Sequence, residues 1–263
     1  MDLGLKGKVA IVAASSRGLG RATAQALGDE GADIAITARH QEELDRAARE
    51  IAASSGRRVL PVVADLAVAG DIARLVQTVL DAYGRVDILV NNAGGPPPGG
   101  ARNVTEAEWH AAYELTLLSA VRLIQGVLPG MRERGWGRII NITSVSVKQP
   151  LPDLVLSNAI RAGVVGYAKT LANEVADEGI TVNNVCPGYT LTDRVRALAE
   201  ARAAAEGIGI SEALAAWESA IPARRLGRPE ELAALVAFLA SEQAAYITGT
   251  TIQVDGGFIA GLL

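Results

Sequence analysis

The sequence has one cysteine, Cys186, and two histidines, His40 and His110. A lone thiol excludes an intrachain disulfide, and so few soft ligands leave no zinc constellation. No excess of positive charge is present: the formal net charge is −4 and the isoelectric point is near 5.4. That balance argues against a nucleic-acid or anionic-membrane surface as partner. The opening Met1-Asp2-Leu3-Gly4-Leu5-Lys6-Gly7-Lys8 lacks an apolar signal core, and no apolar stretch is expected to reach membrane-spanning length. Cytoplasmic residence is the default expectation. What the chain does have is 263 residues, 49% of them hydrophobic and 21% charged. That is enough for one α/β domain with a substantial core.

Apolar runs recur at Val9–Ala13, Asp33–Thr37, Arg58–Ala64, Val86–Asn91, Arg138–Ile142, Thr181–Val185 and Thr250–Val254. Helical patterns lie between them at Gly20–Gly28, Gln41–Ser54, Asp71–Tyr83, Glu106–Arg134, Asp153–Glu178 and Glu230–Ala240. Alternation of this kind predicts βαβ units, and right-handed crossovers join them into a doubly wound parallel sheet. Nearly continuous apolar strands agree, because such a sheet is covered on both faces. No linker divides the chain, so residues 1–263 are expected to form a single domain.

The segment from Ala14 to Gly20 separates the first strand from the first helix. A turn of small residues there leaves helix-opening N–H groups facing outward, which with the helix dipole favour an anion such as a pyrophosphate. Gly18 and Gly20 allow close approach of cofactor and backbone. Ala14, Ser16, Arg17, Gly18, Leu19 and Gly20 are therefore the expected diphosphate cradle. The loop Gly94-Gly95-Pro96-Pro97-Pro98-Gly99-Gly100 follows a strand and should border the ligand site. Residues 192–222 break the tight alternation. They read as two surface helices or as a substrate lid hinged near Gly207-Ile208-Gly209 and Ile221-Pro222, and the lid is preferred. Leu151, Leu156, Trp217 and the proline loop suggest an apolar pocket.

About 20 residues beyond such a turn, NAD-binding units place an acid on the adenosine ribose. Here the chain reads Thr37-Ala38-Arg39-His40, with no carboxylate. Arg39 and Arg17 offer two guanidiniums whose planar forks suit a 2′-phosphate, so NADP is expected over NAD. Asp65, followed by Leu66, either accepts a hydrogen bond from the adenine amino group or caps a helix.

Together with this turn, Asn91-Asn92-Ala93-Gly94, Asn141-Ile142-Thr143-Ser144, Cys186-Pro187-Gly188 and Val254-Asp255-Gly256-Gly257 appear in order along the chain. In these motifs the sequence resembles, from end to end, the short-chain dehydrogenase/reductase family, and in particular its 3-oxoacyl-acyl-carrier-protein reductase-like members. The resemblance implies a Rossmann-type sheet of about seven strands, a small carbonyl or alcohol substrate and a homotetramer or homodimer. It also implies that Asn91, Ala93 and Gly94 line the cofactor, with Pro187, Gly188, Thr190 and Thr192 flanking its nicotinamide and diphosphate. The Asp255-Gly256-Gly257 tail would lie near a subunit interface.

The family's chemistry uses Asn, Ser, Tyr and Lys, and this chain keeps one of them. Ser144 matches the serine. Thirteen residues on, where the tyrosine is expected, stands Ser157, and four further on Arg161 replaces the lysine. Thr116 occupies the asparagine position, and Ala14 replaces the first glycine of the turn. Ser157 and Arg161 share one helix face, as Tyr and Lys would. Arg161 can hold ribose hydroxyls and supply fixed charge, but a guanidinium is no useful proton donor, and a serine is a weaker acid than a phenol. Lys148 and Tyr189 are alternative proton donors, and Tyr113 is expected in the core. Three functions compete. They are an NADP-dependent oxidoreductase, an NADP-binding module with little turnover, and an elimination or dehalogenation enzyme. The last is disfavoured because halohydrin dehalogenases, which resemble the family, keep the Tyr and lose the nucleotide turn.

Overall fold

Seven short β-branched and aliphatic runs become parallel strands of one sheet in the computed structural model, which describes residues 1–262. They are β1 (Val9–Val12), β2 (Asp33–Ala38), β3 (Val59–Val63), β4 (Ile88–Asn91), β5 (Gly137–Ile142), β6 (Ile180–Pro187) and β7 (Thr251–Val254), in the order β3-β2-β1-β4-β5-β6-β7. Between them lie helices α1 (Gly18–Asp29), α2 (Gln41–Ser55), α3 (Ala69–Tyr83), α4 (Glu106–Tyr113), α5 (Ser119–Arg134) and α6 (Val155–Val175). After β6 come α7 (Asp193–Glu206), α8 (Ile210–Ala220) and α9 (Pro229–Leu239). The chain leaves β1 toward β2 on one side and later returns to β4 on the other. A crevice therefore opens beyond their carboxyl ends, where ligands of such sheets bind.

Strand alternation divides the core in two. Val9 and Ile11 point into one layer with α3, α5 and α6, while Ala10 and Val12 point into the other with α1, α2 and α9. The buried residues of both layers are mostly aliphatic, which is why the strands read as unbroken apolar runs. A polar rung crosses the sheet nonetheless. Asn91 Nδ2 donates to Asn141 Oδ1 at 2.8 Å, and Asn141 Nδ2 donates to Asn184 Oδ1 at 3.0 Å. Asn184 Nδ2 then donates to Thr251 Oγ1 at 3.1 Å. These four residues stand in register on β4, β5, β6 and β7, so each amide satisfies the next.

Of the helical stretches expected at Glu106–Arg134 and Asp153–Glu178, the first has the expected bounds and the second starts later. The first is a continuous 29-residue helix containing an 18-residue stretch of mean hydropathy 1.3, long and apolar enough by length and composition to cross a membrane, contrary to expectation. It packs on the sheet instead, burying Leu123, Ile124, Val127 and Met131 beside α3. Thr105 and Glu108 open it with a reciprocal capping box, and Glu114–Leu118 is wound as a π-helical turn. Tyr113, expected in the core, is exposed, because α4 turns that face outward. The second stretch begins at Val155, since Asp153 has φ +55° and cannot be helical. Residues 192–222 contain the pair α7 and α8, joined at Gly207-Ile208-Gly209.

Candidate active site

The glycine turn is built from backbone contacts. Ser15 Oγ donates to the Val12 carbonyl at 2.6 Å and accepts from Thr37 N at 3.1 Å, tying the end of β1 to β2. Asn92 Nδ2 donates to the carbonyls of Ala13 and Ala14, both at 3.2 Å. A Cβ on Gly20 would be driven into the Ala14 carbonyl oxygen, so only glycine lets α1 start this close to β1. Gly18 has φ +58°, and the nearest atom to a Cβ there is the Thr192 methyl group, 3.6 Å away. Arg17 is the N-cap of α1 but makes no side-chain capping bond. The opening amides are therefore free to meet an anion.

Ala14 has φ +48°, the left-handed region that a glycine in this position occupies without strain. A non-glycine residue held there costs of order 1 kcal/mol or more. Ala14→Gly should thus stabilise the protein by about 0.5–1 kcal/mol, net of the extra freedom glycine gains on unfolding, and raise the melting temperature by about 2 °C. A calorimetric scan checks this. A lower melting temperature would show that the turn is unstrained.

A cleft of about 760 Å³ runs from this turn past β4 and β5 to α6 and α7. Ala14, Ser16, Arg17, Gly18 and Leu19 line one end, with Arg39, Asp65 and Leu66 beside them. Ala93, Gly94, Ser144, Ser157, Arg161, Pro187, Gly188, Thr190 and Thr192 line the rest. Gly20 and Asn91 are buried behind the wall, and Asn91 belongs to the amide rung. Gly188 also packs closely on the segment after β7. A Cβ there would collide with Asp255. Arg39 is exposed and has no ion-pair partner among the described residues, while Arg17 lies 3.6 Å from Asp193 with both side chains largely in solvent.

Asp65 is not a helix N-cap, because that position belongs to Val68. Its Oδ1 accepts from Ala67 N at 2.9 Å, which curls the chain before α3, and its backbone N–H is taken by Asp71. Lys148 does not line the cleft, since it leaves the turn after Ser144 on the side of Cys186. Tyr189 does line it, stacked on Trp217 with ring centroids 4.6 Å apart and edge-on to Phe258. Burial raises its phenol above the ordinary value, which weakens it as an acid. Of the apolar residues expected at the pocket, Leu151 and Pro96 line the cleft, whereas Leu156 is core and Trp217 backs Tyr189.

The hydroxyls and the guanidinium converge at the end of β5. Ser144 caps the short 3-10 turn Val145–Val147, its Oγ accepting from Ser146 N at 3.1 Å, so its O–H remains free to donate into the cleft. Ser157, in the first turn of α6, lies 3.3 Å from Ser146 Oγ through its own Oγ. One turn on, Arg161 is 8% exposed, and its Nη1 donates to the carbonyls of Ile142 at 3.1 Å and Thr143 at 3.0 Å. Burial pushes the guanidinium down to about 10, with the nearby Arg194 charge adding to the effect. Those carbonyl bonds compensate part of the desolvation. Behind Arg161 is a cavity of about 20 Å³, lined also by Thr116, Asn91 and Asn141. Thr116 Oγ1 and Asn91 Oδ1 have no hydrogen-bond partner, and a polar cavity of this size has room for one water.

Asn92 and Arg194 are among the cleft residues that sequence reasoning did not mark. Asn92 braces the turn, which strand alternation could have shown once Asn91 faced the sheet. Arg194, the second residue of α7, reaches across the cleft, and its Nη2 donates to the Pro96 carbonyl at 2.7 Å.

A family described as Enoyl-(Acyl carrier protein) reductase matches residues 13–259. The 3-oxoacyl-acyl-carrier-protein reductase FabG of Vibrio cholerae is 38% identical over 97% of this chain and 98% of its own. Dehydrogenase/reductase SDR family member 4 of Oryctolagus cuniculus is 38% identical over 96% and 94%. The chain belongs to the short-chain dehydrogenase/reductase family of oxidoreductases. Among solved structures, L-sorbose reductase of Gluconobacter frateurii, complexed with NADPH and L-sorbose, superposes with a TM-score of 0.95 at 38% identity, covering 100% of both chains. A variant actinorhodin polyketide ketoreductase with NADPH gives 0.92 at 35% identity, covering 95% of this chain and 97% of that one.

Proposed function

We propose that the protein is an NADP-dependent oxidoreductase that interconverts a carbonyl and an alcohol on a small organic substrate. The observation that carries this reading is the uncapped opening of α1 at the end of a cleft whose far end gathers Ser144, Ser157 and Arg161. The amides of Gly18 and Leu19 would hold the diphosphate, and Arg39 with Arg17 the 2′-phosphate. Asp65 and Leu66 border the adenine end, and Asn92 keeps the turn in shape. When bound, the nicotinamide supplies or accepts the hydride.

The chain's own residues do the rest. Ser144 donates its free O–H to the substrate oxygen and fixes its position. Arg161 is held rigidly by two carbonyls and places a permanent positive charge where an alkoxide would develop. It also offers N–H groups to ribose hydroxyls. Ser157, paired with Ser146, can pass a proton between cleft and interior, a role that a serine fills less well than a phenol. The α7–α8 pair closes the cleft as a lid.

A second reading rests on the same pair: with a serine for the acid and the guanidinium bound to backbone, the protein could hold NADP with little turnover. NADPH consumption against a panel of ketones and aldehydes separates the two. Stoichiometric alcohol formation supports the enzyme. Tight NADPH binding without turnover on any of them leaves the binding protein.

A further inference from the structure

The part of the cleft nearest Ser144 contains two guanidiniums and no carboxylate to balance them. Three acids line the cleft as a whole: Glu43, Asp65 and Asp193. Asp193 pairs with Arg17 at the turn, and Asp65 is occupied by the backbone of Ala67. Arg194 has no ion-pair partner among the described residues. Its Nη2 is anchored on Pro96, which fixes the fork beside Gly95, and its other N–H groups have no protein partner among the described residues. Arg161 has spent only Nη1 on protein carbonyls, although the residue is more than nine-tenths buried. The two charges are close enough to repel, and that repulsion helps depress Arg161. Like charges left facing one another in a partly desolvated cleft are a standing cost, removed when an anion enters between them.

We infer that this end of the cleft takes a substrate bearing an oxyanion, such as a carboxylate, received by the remaining N–H groups of Arg194 beside Arg161. This rests on the oxidoreductase reading above for the word substrate, but the anion site itself does not. Arg194 stands on the lid helix and reaches to the proline loop, so a carboxylate bound there also joins the two walls of the cleft. The carbonyl to be reduced would then lie inward, toward Ser144, with Leu151 and Leu154 against the carbon skeleton. The diphosphate of the cofactor presents the same chemistry as a carboxylate, and the test separates the two sources.

Calorimetric titration of the NADPH-loaded protein with levulinate and with methyl levulinate compares one skeleton with and without the charge. The acid should bind at least about tenfold more tightly than the ester, the usual worth of a charge-assisted pair. Arg194→Met should abolish that difference while leaving NADPH affinity within about twofold, and Arg194→Lys should keep part of it. Equal binding of acid and ester, binding of neither, or an acid preference that survives Arg194→Met would overturn the inference. So would a variant that loses NADPH affinity with the acid-to-ester ratio unchanged, since Arg194 would then serve the cofactor. The same titration without NADPH keeps the anion site readable if the cofactor reading itself fails.

Discussion

Replacing Ser157 by Tyr together with Arg161 by Lys should raise the rate of NADPH-linked carbonyl reduction by roughly 10²–10⁴-fold, the usual worth of a positioned general acid. The two positions lie one turn apart on α6, and Ser157 opens onto a cleft with room for a phenol ring. A tyrosine there would bring its hydroxyl beside the free O–H of Ser144, and a neighbouring ammonium would favour the phenolate. Lysine at 161 gives up the bonds that Arg161 Nη1 makes to Ile142 and Thr143. The single Ser157→Tyr variant therefore serves as the control for loss of stability. Initial rates under saturating NADPH measure the effect. If the double variant, folded and NADPH-bound, reacted no faster than the parent, proton donation would not be what this pair of substitutions removed.

The second large effect concerns the nucleotide's ribose. Arg39→Asp should reverse the cofactor preference, shifting the ratio of NADPH to NADH affinity by roughly 10²–10³-fold toward NADH. A bidentate partner of the 2′-phosphate is lost, and a carboxylate suited to the unphosphorylated ribose takes its place. Arg39 is exposed and free of protein partners among the described residues, so the substitution should leave the melting temperature nearly unchanged. Fluorescence titration with both nucleotides reads the shift. An unaltered ratio would mean that Arg17 alone holds the phosphate, or that nothing does.

The sheet was legible because its physics is local. Buried parallel strands must be apolar on both faces, and each of the seven runs became a strand within a few residues of its expected bounds. The glycine turn was equally legible, since the residues that exclude a Cβ announce themselves. Ala14 shows how far this goes: the sequence departs from the pattern, and the backbone still adopts the conformation that the pattern demands. What was not legible depends on where a side chain points after folding. Asn91 satisfies Asn141 and does not reach the cleft, and Asp65 curls onto its own backbone. Tyr113 rides an outward face of α4. Arg194 lay unmarked in a helix whose reach to Pro96 only the fold sets. The tie between Arg161 and the end of β5 likewise needs the helix docked before it can be read.

Every step of the proposed function depends on the nucleotide lying against α1. A crystal structure of the protein grown with saturating NADPH tests that most directly. The diphosphate should sit on the amides of Gly18 and Leu19, with the 2′-phosphate within hydrogen-bonding distance of Arg39. A nucleotide bound elsewhere, or a 2′-phosphate turned out to solvent away from both arginines, would contradict it.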